Sequence, residues 1–190
     1  VTKDASSDAA SPAVAIRDAE PADAPALRAI YAHHVLTGLA SFEETPPDAA
    51  EMERRLKAIV GAGYPYRVAV VGGAVKGYAY ASAYRTRPAY RYTVENSVYV
   101  AADAQRLGIG RRLLADLIER CQRLGFRQMV AVIGDSANAA SISLHADLGF
   151  RRVGTIGSCG FKFGRWVDSV IMQRALGAGD RAPPDRGAGT

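Results

Sequence analysis

A chain of 190 residues, 48% of them hydrophobic, is long enough to bury one core, so a single domain is expected. Its formal charge of +5 comes from arginines scattered through helices and turns, which argues against a nucleic-acid surface. No apolar run reaches the length of a membrane span and residues 1 to 13 lack the apolar stretch of a signal peptide, so a cytoplasmic protein with no membrane partner is expected.

The ends, 1–12 and 177–190, are rich in Ala, Asp, Ser, Gly and Pro and read as mobile tails around a domain spanning 13–176. Within it, Ala13 to Asp18 is a first strand. Asp23 can cap a helix whose Leu27, Ile30, Tyr31 and Val35 share a face, with Pro25 suited to its first turn. After an aromatic loop from Thr37 to Pro47, Asp48 with Glu51 three positions on opens a second helix carrying Met52, Leu56 and Ile59, ended by Gly61 and Gly63. Tyr66 to Val71 and Val75 to Tyr84 flank Gly72-Gly73, a hairpin signal, and Thr93 to Val100 supplies the next strand.

Leu113, Leu114, Leu117, Ile118, Cys121 and Leu124 then fall at helical spacing until Gly125 stops the pattern. A short apolar strand, Met129 to Ile133, precedes a helix that starts at Asn138 and ends at Leu148-Gly149-Phe150. Phe150 to Ile156 and Val167 to Ala175 close the series, giving β-α-α-β-β-β-α-β-α-β-β. That order predicts an α/β protein whose mixed, mostly antiparallel sheet carries helices on both faces.

Between the strand Ser97-Val98-Tyr99-Val100 and the long helix lies Gln105-Arg106-Leu107-Gly108-Ile109-Gly110-Arg111. Glycine there lets the backbone turn so that successive N–H groups converge on an oxyanion at the positive end of a helix, a place for a diphosphate. A Walker loop is excluded, because Arg111 and Arg112 follow Gly110 where Lys and Ser/Thr are required. A dinucleotide fingerprint is excluded too, since only Gly108 and Gly110 fit it. A turn whose glycines merely cap the helix gives the same local pattern. Cys121 and Cys159 lack redox or metal spacing, and His33 and His34 have no carboxylate or cysteine at ligand spacing, so no metal is expected.

The Gln/Arg-x-x-Gly-x-Gly/Ala loop, the Asn-x-x-Ser start at Asn138 and the terminal Leu-Gly-Phe resemble the GNAT superfamily of acyl-CoA N-acyltransferases. The runs Thr93 to Val100, Ala131-Val132-Ile133, Ser143 to Phe150 and Gly160 to Asp168 are similar to its phosphinothricin and methionine sulfoximine N-acetyltransferase branch, over about Ile16 to Leu176. The resemblance implies the GNAT fold, acetyl-CoA as co-substrate, no metal and a homodimer. It also implies acetyl transfer to the α-amine of a small amino acid or analogue by direct attack in a ternary complex. A peptide or protein amine as acceptor, and an acyl-CoA sensor without turnover, are the alternatives.

Acetylating an amine needs a neutral nucleophile, a polarised thioester carbonyl and a proton for the departing thiolate. Since an α-amine titrates at about 7.7–8.0, a nearby base helps, and the resemblance assigns that role to Glu95, with Asn96 and Ser97 in the substrate pocket. It assigns the backbone of Val98, Tyr99 and Val100 to the pantetheine and the amides from Arg106 through Leu107, Gly108, Ile109 and Gly110 to Arg111 to the pyrophosphate. Asn138 is expected to bond pantetheine or to cap its helix. His145 stands where many relatives have the tyrosine that protonates the thiolate; a proton donor and a core histidine are both open. Arg85, Thr86 and Arg87 lie on the loop entering the Glu95 strand, where an arginine could anchor a substrate carboxylate. Phe42 and Glu44 are similar to the branch's aromatic and acidic pocket loop.

Overall fold

The computed structural model describes residues 13–184. The expected tail 1–12 and the last residues, 185–190, lie outside the described residues. Seven strands and four α-helices alternate as β1 (Val14–Asp18), α1 (Ala24–Thr37), α2 (Ala49–Gly61), β2 (Tyr66–Val71), β3 (Ala74–Ala83), β4 (Thr93–Val100), α3 (Ile109–Arg123), β5 (Gln128–Gly134), α4 (Ala139–Asp147), β6 (Arg151–Lys162) and β7 (Arg165–Ala175). This is the expected order. The strands form one sheet, β1-β2-β3-β4-β5-β7-β6, antiparallel throughout except for β4 beside β5.

Each face of the sheet has its own core. Ile109, Leu113, Leu114, Leu117, Ile118 and Cys121 form the apolar stripe of α3 and pack on Ala69, Ala79, Ala81, Val94 and Met129. On the other face Leu27, Ile30, Tyr31 and Val35 of α1, with Met52 and Leu56 of α2, pack on Tyr66, Val68 and Tyr78. Each such leucine contributes about 1.5–3 kcal/mol by leaving water. Among the described residues no helix is long and apolar enough to cross a membrane.

Four details differ from the sequence expectation. Asp23 does not cap α1. It lies in a 3-10 turn, Pro21–Asp23, with helical backbone angles of its own, and its carboxylate takes the Glu20 N–H at 2.8 Å and both Arg17 nitrogens at 2.7 Å. Asp48 does cap α2, accepting from the Glu51 N–H at 2.8 Å, but the Glu51 carboxylate turns to Arg54 and Arg55 rather than back to the cap. The last two strands run further than expected, β6 to Lys162 and β7 from Arg165; Gly157, Ser158 and Gly160 read as a loop, yet the pairing resumes at Gly160 opposite Val167 after an irregularity. Residues 177–184, expected to begin a tail, form a hydrogen-bonded turn whose Ala182 and Pro183 carbonyls accept from Arg127 at 2.8 Å.

One feature of the sheet positions everything that follows. β4 and β5 pair from Thr93 with Gln128 only as far as Asn96 with Ala131, although both strands continue. β5 instead follows β7 along its whole length, to Gly134 opposite Ser169. Past Asn96 the two parallel strands diverge, and the edge of β4 from Ser97 to Val100 is open on that side.

Candidate active site

The divergence opens a cleft of about 740 Å³, walled by Val98 to Val100 of β4, the loop before α3, and the start of α4 at Asn138. An extended ligand with amide groups can lie along β4 there as an added strand. His34, which the sequence reading left without a role, closes one side: its Nε2 donates to the Val100 carbonyl at 2.9 Å and its ring leans on Tyr99. The signal was present, since His34 falls four positions after Ile30 on the buried stripe of α1.

At the outer end Arg106 and Gly108 both take left-handed backbone angles, φ 63° and 73°. These turns present the N–H groups from Arg106 to Arg111 without a hydrogen-bond partner among the described residues, at the N-terminus of a 15-residue helix. Such a nest is suited to a diphosphate. A Cβ added at Gly108 would meet nothing within 4 Å, so glycine is required by conformation and not by space. Leu107 is exposed and lies outside the cleft lining. Arg111 reaches Asp147 at 3.5 Å with both side chains more than half exposed, a weak pair that leaves the guanidinium available. Asn138 caps α4 by accepting from the Ser141 N–H at 3.2 Å, so capping is its role here, while its Nδ2 keeps no partner among the described residues.

At the inner end, neighbouring residues of β4 point to opposite faces. Asn96 is 6% exposed and its Nδ2 lies 3.0 Å from His145 Nε2; His145 Nδ1 lies 2.8 Å from the Ser141 carbonyl. A carbonyl only accepts, so Nδ1 carries the proton, and in the neutral ring Nε2 is the acceptor. Burial pushes the His145 pKa below the usual imidazole value, which keeps the ring neutral. Its one proton is therefore turned into α4, and the geometry does not offer it to a thiolate. The same logic fixes the Asn96 amide, whose Oδ1 is buried without a partner. Asn96 also lines a void of about 60 Å³ between β4 and β5. An orphaned acceptor beside the open β4 edge fits an amide N–H of a bound pantetheine.

Glu95 faces the α1 and α2 side, together with Ser97 and, across β3, Ser82 and Tyr80. It is half-buried, and desolvation raises its carboxyl above the ordinary glutamate range, with the Arg85 charge opposing the shift. Arg85 is exposed over the Tyr84 ring, whereas Thr86 and Arg87 are exposed with no side-chain contact to the site.

The loop after α1 is fastened over this region. Lys162, buried in β6, donates to the Gly38 and Ser41 carbonyls at 3.0 and 2.7 Å. The Phe42 ring packs against Gly160, where an added Cβ would come within 2.6 Å of it. Glu44 is exposed without a hydrogen bond among the described residues; its neighbour Glu43 is the engaged acid, taking the Tyr31 hydroxyl at 3.0 Å and Arg55 at 2.7 Å. Lys162 and Glu43 were not singled out from sequence, since their partners lie on other elements.

Comparison with known proteins identifies the family. The family model described as an acetyltransferase (GNAT) domain matches residues 16–171. A phosphinothricin N-acetyltransferase of Alcaligenes faecalis is 56% identical over 86% of this chain and 83% of its own. An L-methionine sulfoximine/L-methionine sulfone acetyltransferase of Pseudomonas paraeruginosa is 44% identical over 88% of this chain and 98% of its own. Among solved structures, a GNAT superfamily phosphinothricin acetyltransferase from Sinorhizobium meliloti in complex with AcCoA superposes with a TM-score of 0.89 at 50% identity, covering 92% of this chain and 95% of that one.

Proposed function

Because the chain belongs to the GNAT family of acetyltransferases, we propose that it transfers the acetyl group of acetyl-CoA to the α-amine of a small amino acid or analogue, of the methionine sulfoximine, methionine sulfone or phosphinothricin type. The observation that carries the reading is the half-buried Glu95 placed on β4 just before that strand parts from β5.

The cofactor's diphosphate rests on the free amides of Arg106 to Arg111, and its pantetheine pairs with Val98 to Val100 and meets Asn96 Oδ1. A β4 N–H polarises the thioester carbonyl. Glu95 takes a proton from the acceptor ammonium, directly or through water; the amine nitrogen bonds the carbonyl carbon, the carbon–sulfur bond breaks as the tetrahedral intermediate collapses, and the nitrogen's second proton passes through solvent to the departing sulfur. A thiolate whose conjugate acid has a pKa near 8.5 leaves without a dedicated acid, which suits the internal commitment of the His145 proton.

A second copy completes the molecule in this reading. Val153, Ile156, Phe161, Phe163 and Trp166 are exposed on β6, the tip of its hairpin and β7, apolar surface that a homodimer would cover. Free Cys121 and Cys159 suit the reducing cytoplasm. The test is thiol release from acetyl-CoA across a panel of amino acids. Release with methionine sulfone, methionine sulfoximine or phosphinothricin is expected; release with N-terminal peptides alone would overturn the small-acceptor assignment.

A further inference from the structure

Beneath α2, on the sheet face that carries Glu95, lies a separate cavity of about 210 Å³ lined by Tyr31, Tyr66, Tyr78, Tyr80, Met52 and Arg55. Register sets it beside the base. Tyr80 pairs with Ser97 and is the diagonal neighbour of Glu95, and Tyr66 pairs with Tyr80 one strand further on. Two strand spacings and a two-residue offset, about 12 Å in all, thus separate Glu95 from Tyr66 along the sheet.

The rings of Tyr66, Tyr78 and Tyr80 form a near-parallel cluster, with interplanar angles of 8 to 24°. Tyr66 is 3% and Tyr78 1% exposed, and their hydroxyls have no hydrogen-bond partner among the described residues while staying open to the cavity. A phenol that opens on a cavity is satisfied there by water or by the polar atoms of a bound ligand. Two unpaired donors on one small cavity therefore point to a ligand that brings the acceptors. The cavity is below the size of a whole-ligand site, so it suits part of a substrate. It has no uncommitted cation among its lining residues: Arg54 is held by Glu51, and Arg55 by Glu51 and Glu43. An anionic head such as a phosphinate would enter at a desolvation cost that a sulfone or sulfoximine avoids, which ranks phosphinothricin below the two methionine derivatives as an acceptor.

The geometry points to a side-chain subsite for the acceptor, which takes a compact, uncharged head bearing oxygen acceptors, such as a sulfone or sulfoximine, on the Tyr66 and Tyr78 hydroxyls. This inference rests on the amino-acid acetyltransferase reading above. In it the amine lies at Glu95 and the side chain runs over Tyr80 under α2.

The test compares methionine sulfone with norleucine, which has no side-chain oxygens, on wild type, Tyr66→Phe and Tyr78→Phe. Removing one neutral hydrogen bond should lower kcat/KM for the sulfone about three- to tenfold while leaving norleucine and acetyl-CoA affinity unchanged. Equal losses on both acceptors, or none, would overturn the subsite. Tyr66→Phe keeps the packing, so it decides the matter should Tyr78→Phe fold poorly. If wild type acetylates no free amino acid, the functional reading fails by itself. Calorimetric titration of methionine sulfone into the CoA-bound chain then still tests the cavity: weaker binding to Tyr66→Phe supports it and equal binding overturns it.

Discussion

Arg85 and His145 show how a side chain's surroundings decide what it can do. Arg85 has an exposed guanidinium stacked on Tyr84, on the loop that leads into Glu95, and its charge is felt by that carboxylate. Anchoring a substrate carboxylate there would form a charge-assisted bond that stays partly solvated, worth about 1.5–3 kcal/mol. Arg85→Ala should therefore lower efficiency roughly ten- to hundredfold on methionine sulfone but little on its carboxamide, measured by thiol release with both acceptors. Similar losses on acid and amide would remove the anchor. His145 makes the opposite prediction. Its Nε2 holds the Asn96 amide and its proton is bonded inside α4, so His145→Phe should weaken acetyl-CoA binding in calorimetry while leaving the limbs of the kcat pH profile in place. Loss of a limb would restore a proton-transfer role. Burial lowers its folded pKa below the unfolded value near 6.5, so the neutral ring's contribution to stability is present above that value and is lost as pH falls. The Phe variant should flatten that part of the melting curve against pH.

Elements with one strong internal pattern were legible from sequence, and elements whose form depends on a distant partner were not. The stripe from Leu113 to Cys121 repeats at helical spacing because one face of α3 meets the sheet, and Asp48 before Glu51 marks a cap that forms as read. Asp23 has the same local chemistry, but Arg17 on β1 takes its carboxylate first. The second half of β6 carries Gly157, Ser158 and Gly160, with most of its length exposed, so no alternation announces a strand; pairing with β7 creates it. In the candidate site, Glu95, the β4 backbone and the loop before α3 follow closely in sequence, so they could be read together. His34, Glu43, Lys162 and the tyrosine cluster come together only when α1, α2 and β6 are folded over the sheet. The loop before α3 gives its own test. Since φ at Gly108 is 73° with open space around it, the cost of a side chain there is conformational, about 1–2 kcal/mol and more for a β-branched residue. Gly108→Val should weaken acetyl-CoA binding about tenfold or more, and Gly108→Asn, which tolerates that conformation, far less. Equal affinities by calorimetry would reduce the loop to a helix cap.

Across the whole molecule, the sheet separates two tasks. One face, with α3 and α4, carries the buried Asn96–His145 pair, and the other, with α1 and α2, carries Glu95 and the acceptor cavity. The parting of β4 from β5 joins them, since only there can an acyl group held along β4 meet an amine on the opposite face. In the proposed homodimer a second copy covers the exposed, mutually packed Phe161 and Trp166, so wild type should sediment as a dimer and the variant with both replaced by Glu as a monomer; a wild-type monomer would remove the dimer, and an unchanged dimer would place the interface elsewhere.

In the proposed reaction Glu95 is the base at this junction and takes no part in holding acetyl-CoA. The direct measurement is the pH profile of kcat/KM on methionine sulfone for wild type and Glu95→Gln, with acetyl-CoA affinity measured alongside. A raised carboxyl pKa places the wild-type acid limb above the ordinary glutamate range, with activity lost as pH falls through it. Glu95→Gln should lose about a hundredfold in turnover at neutral pH, recover in part as rising pH frees the amine in solution, and bind acetyl-CoA as wild type does. Wild-type turnover in the variant, or a loss matched by the loss of acetyl-CoA affinity, would contradict the account.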